Sequence, residues 1–340
     1  MTAWDADIVR RVLGEHDVHW EDNKPMALLT TYAVGGMARI AITVRTYDDM
    51  QKLASALSVC GDIPLVVLGR GSNTLFSDSG FNGVVVIVGT SDESKSIQCS
   101  GDVVSAAGSM LMPVLARRSV QAARGGLEWC VGIPGTVGGA VRMNAGGHGA
   151  EMVDSLLSAR VLSLRSGEVH VVPQAALGLH FRGSALSPHH VVVSADFTTT
   201  SQDVQQGTAE IDHIVAWRRE HQPGGRNAGS VFVNPAPGAG SAGALIDAAG
   251  LRGFTSGGAH VSEKHANFIQ ASDTASASDI IAVMNHVQNI VREQTGTVLR
   301  SEVRLVGFAD DIALQFADTQ HDAPHFMSAR HALCSMLGEQ

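Results

Sequence analysis

The chain has 340 residues, of which 44% are hydrophobic and 17% charged, with a formal net charge of −9. That length exceeds one ordinary domain and predicts two or three. The acidic balance argues against a broad nucleic-acid-binding face, while a local arginine cluster would still grip phosphate, so small-molecule partners are expected. Cysteines 60, 99, 130 and 334 form no Cys-x-x-Cys pair or dense framework, which suits a reducing cytosol. The N-terminal stretch has no apolar signal core, and no later apolar run approaches the roughly 20 residues of a spanning helix. A cytoplasmic protein without membrane insertion is therefore expected, and its oligomeric state is left open.

Residues 1–24 read as a short polar helix and a linker. Paired glycines, Gly35 and Gly36, precede an alternating strand over 39–44. Met50, Leu53, Ala54 and Leu57 stand at helical spacing and predict a helix over 48–57. A buried-type strand from Pro64 to Leu68 then runs directly into Gly69, Arg70, Gly71, Ser72 and Asn73. This is not the Rossmann fingerprint, because Thr74 stands where a third glycine would open the helix. A Walker-type loop is excluded as well, since the dipeptide Gly-Lys never occurs and the lysines are Lys24, Lys52, Lys95 and Lys264. Residues 81–88 form another strand run, residues 97–106 begin a second lobe, and a helix over 108–124 is expected to stop at Gly125 and Gly126.

The main glycine cluster comes next. Gly132, Ile133, Pro134, Gly135, Thr136, Gly138, Gly139, Asn144, Ala145 and Gly146 form a glycine-rich stretch in otherwise apolar sequence. Glycine loses the most backbone entropy on ordering, so such a density suggests positive φ or close approach to another surface. Successive free N–H groups facing one concavity would bind an anion, most often phosphate. A glycine-rich turn in a β-domain is the blander reading of this stretch alone. Together, two cradles imply a long diphosphate ligand.

Strands are expected near 158–163 and 169–172, followed by Phe181-Arg182-Gly183-Ser184. Ile211, Ile214, Val215 and Trp217 mark the buried side of a helix over 210–220, which leads into Arg218 and Arg219. That arginine pair fits either a bidentate phosphate grip or a solvated helix end. Asn227 to Pro235 contains Ser230, Val233 and Asn234, and a short helix after Ala242 stops at Gly250 and Gly253. His260 and His265 are five residues apart with no completing cysteine or carboxylate set, so no metal is expected. Ser276 and Asp279 form a capping box for a helix over 276–293. Residues 298–306 alternate as a strand, with Arg300, Glu302 and Arg304 on one face and Leu299, Val303 and Leu305 on the other. From the strand alone, Glu302 reads as a cross-strand salt-bridge partner. Residues 308–340 carry no readable function.

Segments in order over roughly residues 25–307 resemble the UDP-N-acetylenolpyruvoylglucosamine reductases: Thr30 to Ala38, the two cradles, Phe181 to Ser184, Asn227 to Pro235, Gly258 to Ile269 and Val298 to Val306. The resemblance implies an α+β fold: a two-lobed FAD-binding unit of the vanillyl-alcohol-oxidase-like type plus a C-terminal α+β substrate domain. Its bounds would be 1–88 and 89–206 for the lobes, 207–307 for the substrate domain and 308–340 for an extension. It further implies FAD in the two cradles, NADPH as hydride donor and a UDP-sugar substrate, in peptidoglycan precursor synthesis. By the same resemblance Arg182, Ser230 and Glu302 would be catalytic, and Arg218, Asn234 and His260 would bind substrate. Two departures stand out: Val233 occupies a family lysine position and Phe181 an aromatic position that is usually tyrosine. With Tyr32 and Tyr47 as its only tyrosines, the chain resembles the shorter form that lacks a substrate-covering tyrosine. Another flavin oxidase or dehydrogenase on the same scaffold, and a UDP-sugar sensor without turnover, are the rival readings.

Overall fold

The computed structural model describes residues 4–92, 95–235, 240–317 and 324–339. Its first lobe is a four-stranded sheet in the order Glu21–Pro25, Met37–Val44, Phe81–Val88, Leu65–Leu68, with the first pair antiparallel and the others parallel. The Phe81–Val88 strand is buried on both faces. Val84 and Val86 point to a core shared with the Ala6–Glu15 and Tyr47–Leu57 helices, while Val85 and Ile87 point to a smaller core around Met26, Leu68 and Phe76. This is the period of two expected of a strand covered on both sides.

The sequence reading of residues 1–24 needs two corrections. The Ala6–Glu15 helix is amphipathic and buries Val9, Val12 and Leu13, and residues 21–25 are an edge strand rather than a linker. Glu21, Asp22 and Asn23 are exposed, so this strand is held mainly by its backbone pairing with residues 37–41 and carries no hydrophobic alternation to reveal it.

The second lobe is a five-stranded antiparallel sheet in the order Val169–Pro173, Leu156–Ser163, His190–Thr198, Val103–Ala107, Gln98–Ser100. Helices Met112–Gln121 and Val204–His221 pack on it, with Leu115, Val120, Ile211 and Ile214 in one core with Val104, Ala159 and Phe197. On packing, the whole Val204–His221 helix therefore goes with this lobe, although the sequence reading starts the substrate domain at residue 207. The helix expected to run to residue 124 ends at Gln121, because Ala123 takes the left-handed conformation before the glycines are reached.

The third unit surrounds the Ala277–Thr295 helix, which starts at the expected Ser276–Asp279 capping box. A small sheet, Thr255–Ser256, Ala259–Val261 and Ile269–Ala271, and the Ala242–Ala248 helix complete it. Its core takes in Tyr32, Val34 and Leu75 from the first lobe. The expected strand over 298–306 is regular only at Arg304–Val306, which pairs in parallel with Thr74–Phe76.

The Pro324–Met336 helix folds back onto the second lobe, with Leu333 and Leu337 in its core. Beyond it, Glu339 Oε1 accepts from Ser163 Oγ at 2.6 Å and His190 Nε2 at 2.9 Å, and Oε2 from His189 Nε2 at 2.8 Å. His190 Nδ1 accepts the Ser187 N–H at 3.1 Å, so its Nε2 carries the proton that it gives to Glu339. Burial pushes the Glu339 carboxyl up, but the bonds from His189, His190 and Ser163 outweigh it and hold the group far below the usual carboxylate range. A depressed folded-state pKa means stability that is present above the unfolded value of about 4.3 and lost as the pH falls below it. Replacing Glu339 by alanine should cost about 1–3 kcal/mol at pH 7 and flatten the acid limb of the stability profile. Equal acid limbs in denaturant titrations of the two proteins would remove Glu339 from that role.

Candidate active site

The first cradle, residues 69–73, leaves the end of the Leu65–Leu68 strand. Gly71 has φ +64°, and a Cβ there would lie 2.1 Å from Leu29 O, so no larger residue fits without moving backbone. A Cβ on Gly69 would lie 2.5 Å from Thr136 Oγ1, and one on Gly135 would lie 3.3 Å from Ser72 Oγ. The two cradles, more than sixty residues apart in sequence, therefore touch.

In the second cradle the N–H groups are not all free, although the sequence suggests they would be. Val137 N donates to Met110 O, Gly138 N to Gly108 O, and Gly139 N to Thr136 Oγ1. These bonds seat the Val137–Arg142 helix on the second lobe. The N–H groups of Arg70, Gly71, Ser72, Asn73, Gly135 and Thr136 meet no acceptor among the described residues. Beside them, the buried hydroxyls of Thr30 and Thr31 lack partners too. A double loop with unbonded backbone donors, and with no space for a Cβ at Gly69 or Gly71, suits the phosphates of a dinucleotide.

Arg182 sits at the tip of a tight turn closed by paired His180 and Gly183 backbone bonds, itself at φ +58°. Left-handed backbone at a non-glycine residue is costly and persists where the surroundings hold it. Here Arg182 Nε donates to Glu302 Oε1 and Nη1 to Glu151 Oε1, both at 3.0 Å, while its Cζ stands 4.6 Å over the Phe181 ring. Phe181 thus supplies the aromatic face without a hydroxyl.

Glu302 arrives on the bent segment before Arg304. Its N–H donates to Val231 O at 2.8 Å, its carbonyl accepts from Asn73 Nδ2 at 3.0 Å, and Arg304 N donates to Asn73 O at 3.0 Å. The segment therefore crosses from the third unit to the first cradle at residues 302–304, which is why the regular strand begins only there. Burial pushes the Glu302 carboxyl up, Arg182 pulls it down, and the net direction is up.

Ser230 precedes Val231, the residue whose carbonyl accepts the Glu302 N–H, so the two segments run side by side here. Gly229, at φ +77°, turns the chain into it, and Asn267 braces Val231 and Phe232 on its other side. Asn267 O accepts from Val231 N, its Oδ1 from Phe232 N at 2.9 Å, and its Nδ2 donates to Phe232 O at 2.8 Å. The Ser230 hydroxyl has no hydrogen-bond partner among the described residues.

The expected substrate contacts are scattered. Arg218 lies beside the second cradle, its Cδ 3.5 Å from where a Gly132 Cβ would stand, and burial lowers its pKa. Asn234 Oδ1 accepts from Ala242 N at 3.0 Å and so helps start the Ala242–Ala248 helix. His260 lies on the small sheet between Thr255 and Gln270, and Val233 is buried with its N–H bonded to Arg300 O. Asn144 is 2% exposed, and its amide bonds Glu151, His180 O and Val153 N, all within the protein. Sequence reasoning passed over Glu151 and Asn267. Their type and spacing carried no signal, although Asn267 lies inside the Gly258 to Ile269 segment.

Two lobes joined by paired donor loops, with a third unit bringing a carboxyl to an arginine, define an FAD-dependent oxidoreductase of the vanillyl-alcohol-oxidase type with a C-terminal substrate domain. Residues 40–173 match the FAD binding domain model, and residues 221–306 match the C-terminal domain of UDP-N-acetylenolpyruvoylglucosamine reductase. The reductase of Rhodopseudomonas palustris strain HaA2 is 37% identical over 292 residues, 86% of this chain and 93% of that protein. That of Geobacter metallireducens is 39% identical over 290 residues, 84% and 93%. The crystal structure of the Thermus caldophilus enzyme superposes with a TM-score of 0.71 at 31% identity, covering 85% of this chain and 98% of that one. The chain belongs to the UDP-N-acetylenolpyruvoylglucosamine reductase family.

Proposed function

We propose that this protein reduces the enolpyruvyl group of UDP-N-acetylglucosamine enolpyruvate to the lactyl ether, giving UDP-N-acetylmuramate for peptidoglycan, with NADPH as the source of hydride. The observation that carries this reading is that Arg182 Nε donates to Glu302, whose backbone bonds Val231, next to Ser230, and Asn73 of the first cradle, while Arg182 Nη2 lies 3.5 Å from Gly146 O of the second. Bound FAD would supply hydride transfer there, held by residues 69–73 and 132–136 with Ala145 and Gly146, while Gly138, Gly139 and Asn144, whose donors bond within the protein, would shape the cradle.

Hydride addition to an alkene conjugated with a carboxylate puts negative charge on that carboxylate and leaves the adjacent carbon basic. Arg182 holds the carboxylate and stabilises the charge. Ser230, with an uncommitted hydroxyl, gives the proton to carbon. An enolate-like carbon is basic enough to accept it when the alkoxide is relayed. Glu302, as a neutral carboxyl, supports that proton transfer. Arg218 beside the second cradle, and Asn234 and His260 in the third unit, are the proposed contacts to the rest of the UDP-sugar. The four cysteines are free, which supports a reducing cytoplasmic setting. No described helix is long and apolar enough to cross a membrane.

The test is anaerobic mixing. NADPH should bleach the yellow protein, and the UDP-sugar should then restore its colour. Acid precipitation should release the colour, since the cradles present backbone donors and no nucleophile for a covalent tether. Recolouring by oxygen and not by the UDP-sugar would point instead to an oxidase, and failure to bleach would leave a sensor.

A further inference from the structure

Arg182 lies between two carboxylates. Its Nε donates to Glu302 Oε1 and its Nη1 to Glu151 Oε1, each at 3.0 Å, whereas Nη2 makes only a 3.5 Å contact with Gly146 O. Glu151 is held from both sides. Its Oε2 accepts from Asn144 Nδ2 at 3.1 Å, and its N–H donates to Asp154 Oδ2 at 2.7 Å. Neither its type nor its position marks it as more than a loop residue. The geometry makes it part of the Arg182 cluster.

Counting charge narrows its role. With both carboxylates ionised, the cluster is negative by one charge before an anionic substrate arrives, and a second negative carboxylate would have to approach it. A proton on one carboxyl removes that excess. Glu151 accepts N–H bonds on both oxygens, from Arg182 and from Asn144. Glu302 accepts from Arg182 on Oε1, and its side chain is more deeply buried, 20% exposed against 32% for Glu151. Glu302 is thus the group that holds the proton. Burial is the main influence raising its pKa, and the Glu151 charge adds to it against the pull of Arg182. Other charged groups nearby are Arg300 and Arg304, which flank Glu302 in sequence and have interactions of their own, Arg142, which feels Arg304, and Asp154 next to Glu151. His180, at the base of the Arg182 turn, shares its Nδ1 with Gly178 O.

We infer that Glu151 is a positioning residue for the proposed reduction: it anchors the Arg182 guanidinium through Nη1 and balances its charge, leaving Nη2 for the substrate carboxylate and Glu302 in its protonated form. The inference rests on the function proposed above. The division of labour is electrostatic.

Glu151→Gln removes the charge and keeps one of the two acceptor contacts. In anaerobic stopped-flow, bleaching by NADPH should match the parent. The rate of recolouring by the UDP-sugar should lose its high-pH limb early, the fall beginning about one pH unit lower than in the parent because Glu302 now ionises more readily. Independently of turnover, the deuterium-sensitive infrared carbonyl band that disappears in Glu302→Gln should titrate at lower pH in Glu151→Gln than in the parent. Glu151→Ala, which also frees Arg182, should raise the KM for the UDP-sugar in addition to shifting the profile. Superimposable pH profiles and infrared titrations for parent and Glu151→Gln would overturn the inference while leaving the proposed function standing. A parent that bleaches with NADPH but is never recoloured by the UDP-sugar would overturn both. If Glu151→Ala loses its flavin, the Glu151→Gln comparison still decides.

Discussion

Replacing Ser230 by alanine is expected to leave bleaching by NADPH near the parental rate and to slow recolouring by the UDP-sugar at least roughly 100-fold, the lower range for losing a positioned acid. The separation arises from where Ser230 sits. It belongs to the segment braced by Asn267 and paired with the Glu302 strand, and that segment makes no hydrogen bond to residues 69–73 or 135–136 among the described residues. Its hydroxyl contributes no hydrogen bond to the fold among the described residues, so alanine should also leave thermal stability within about 0.5 kcal/mol. Equal slowing of both half-reactions would mean that the change disturbs the flavin site and that the serine has no separate part in delivering the proton.

Glu302→Ala is expected to slow the same step by about 100-fold or more, with Glu302→Gln retaining more activity because it keeps the shape, a donor and an acceptor for Arg182 Nε. The pH dependence has a definite sign. Burial, and after it the Glu151 charge, raise the Glu302 carboxyl above the ordinary carboxylate range against the opposing pull of Arg182. A group that acts while protonated gives a rate that is level at low pH and falls as the pH rises through that raised value. Glu302→Gln cannot ionise and should lose this limb. Near-normal recolouring in Glu302→Ala would reduce Glu302 to a salt-bridge partner of Arg182, the reading that the isolated strand favoured.

Much of this molecule was legible along the chain because the relevant physics is local. The Tyr47–Leu57 and Ala277–Thr295 helices arise from apolar spacing and from capping boxes that satisfy their first N–H groups. The Phe81–Val88 strand arises from its β-branched run, and the cradles from glycine density, since Gly71 needs positive φ and close approach wherever it is placed. The order of motifs carried the family, and with it Arg182, Ser230 and Glu302. The features that the tertiary structure alone decided are matters of distant pairing. Residues 21–25 are a strand because another strand offers them hydrogen bonds, and residues 298–303 are irregular because their bonds go to Val231, Val233 and Phe316 rather than to one regular ladder. The second cradle gives up three N–H groups to Met110, Gly108 and Thr136, which no spacing within it reveals. Asn267 and Glu151 act through partners more than thirty residues away. A sequence shows what each residue is able to do next to its neighbours. Which donor meets which acceptor across the fold depends on how the three units close, and that closure sets the charge around Glu302.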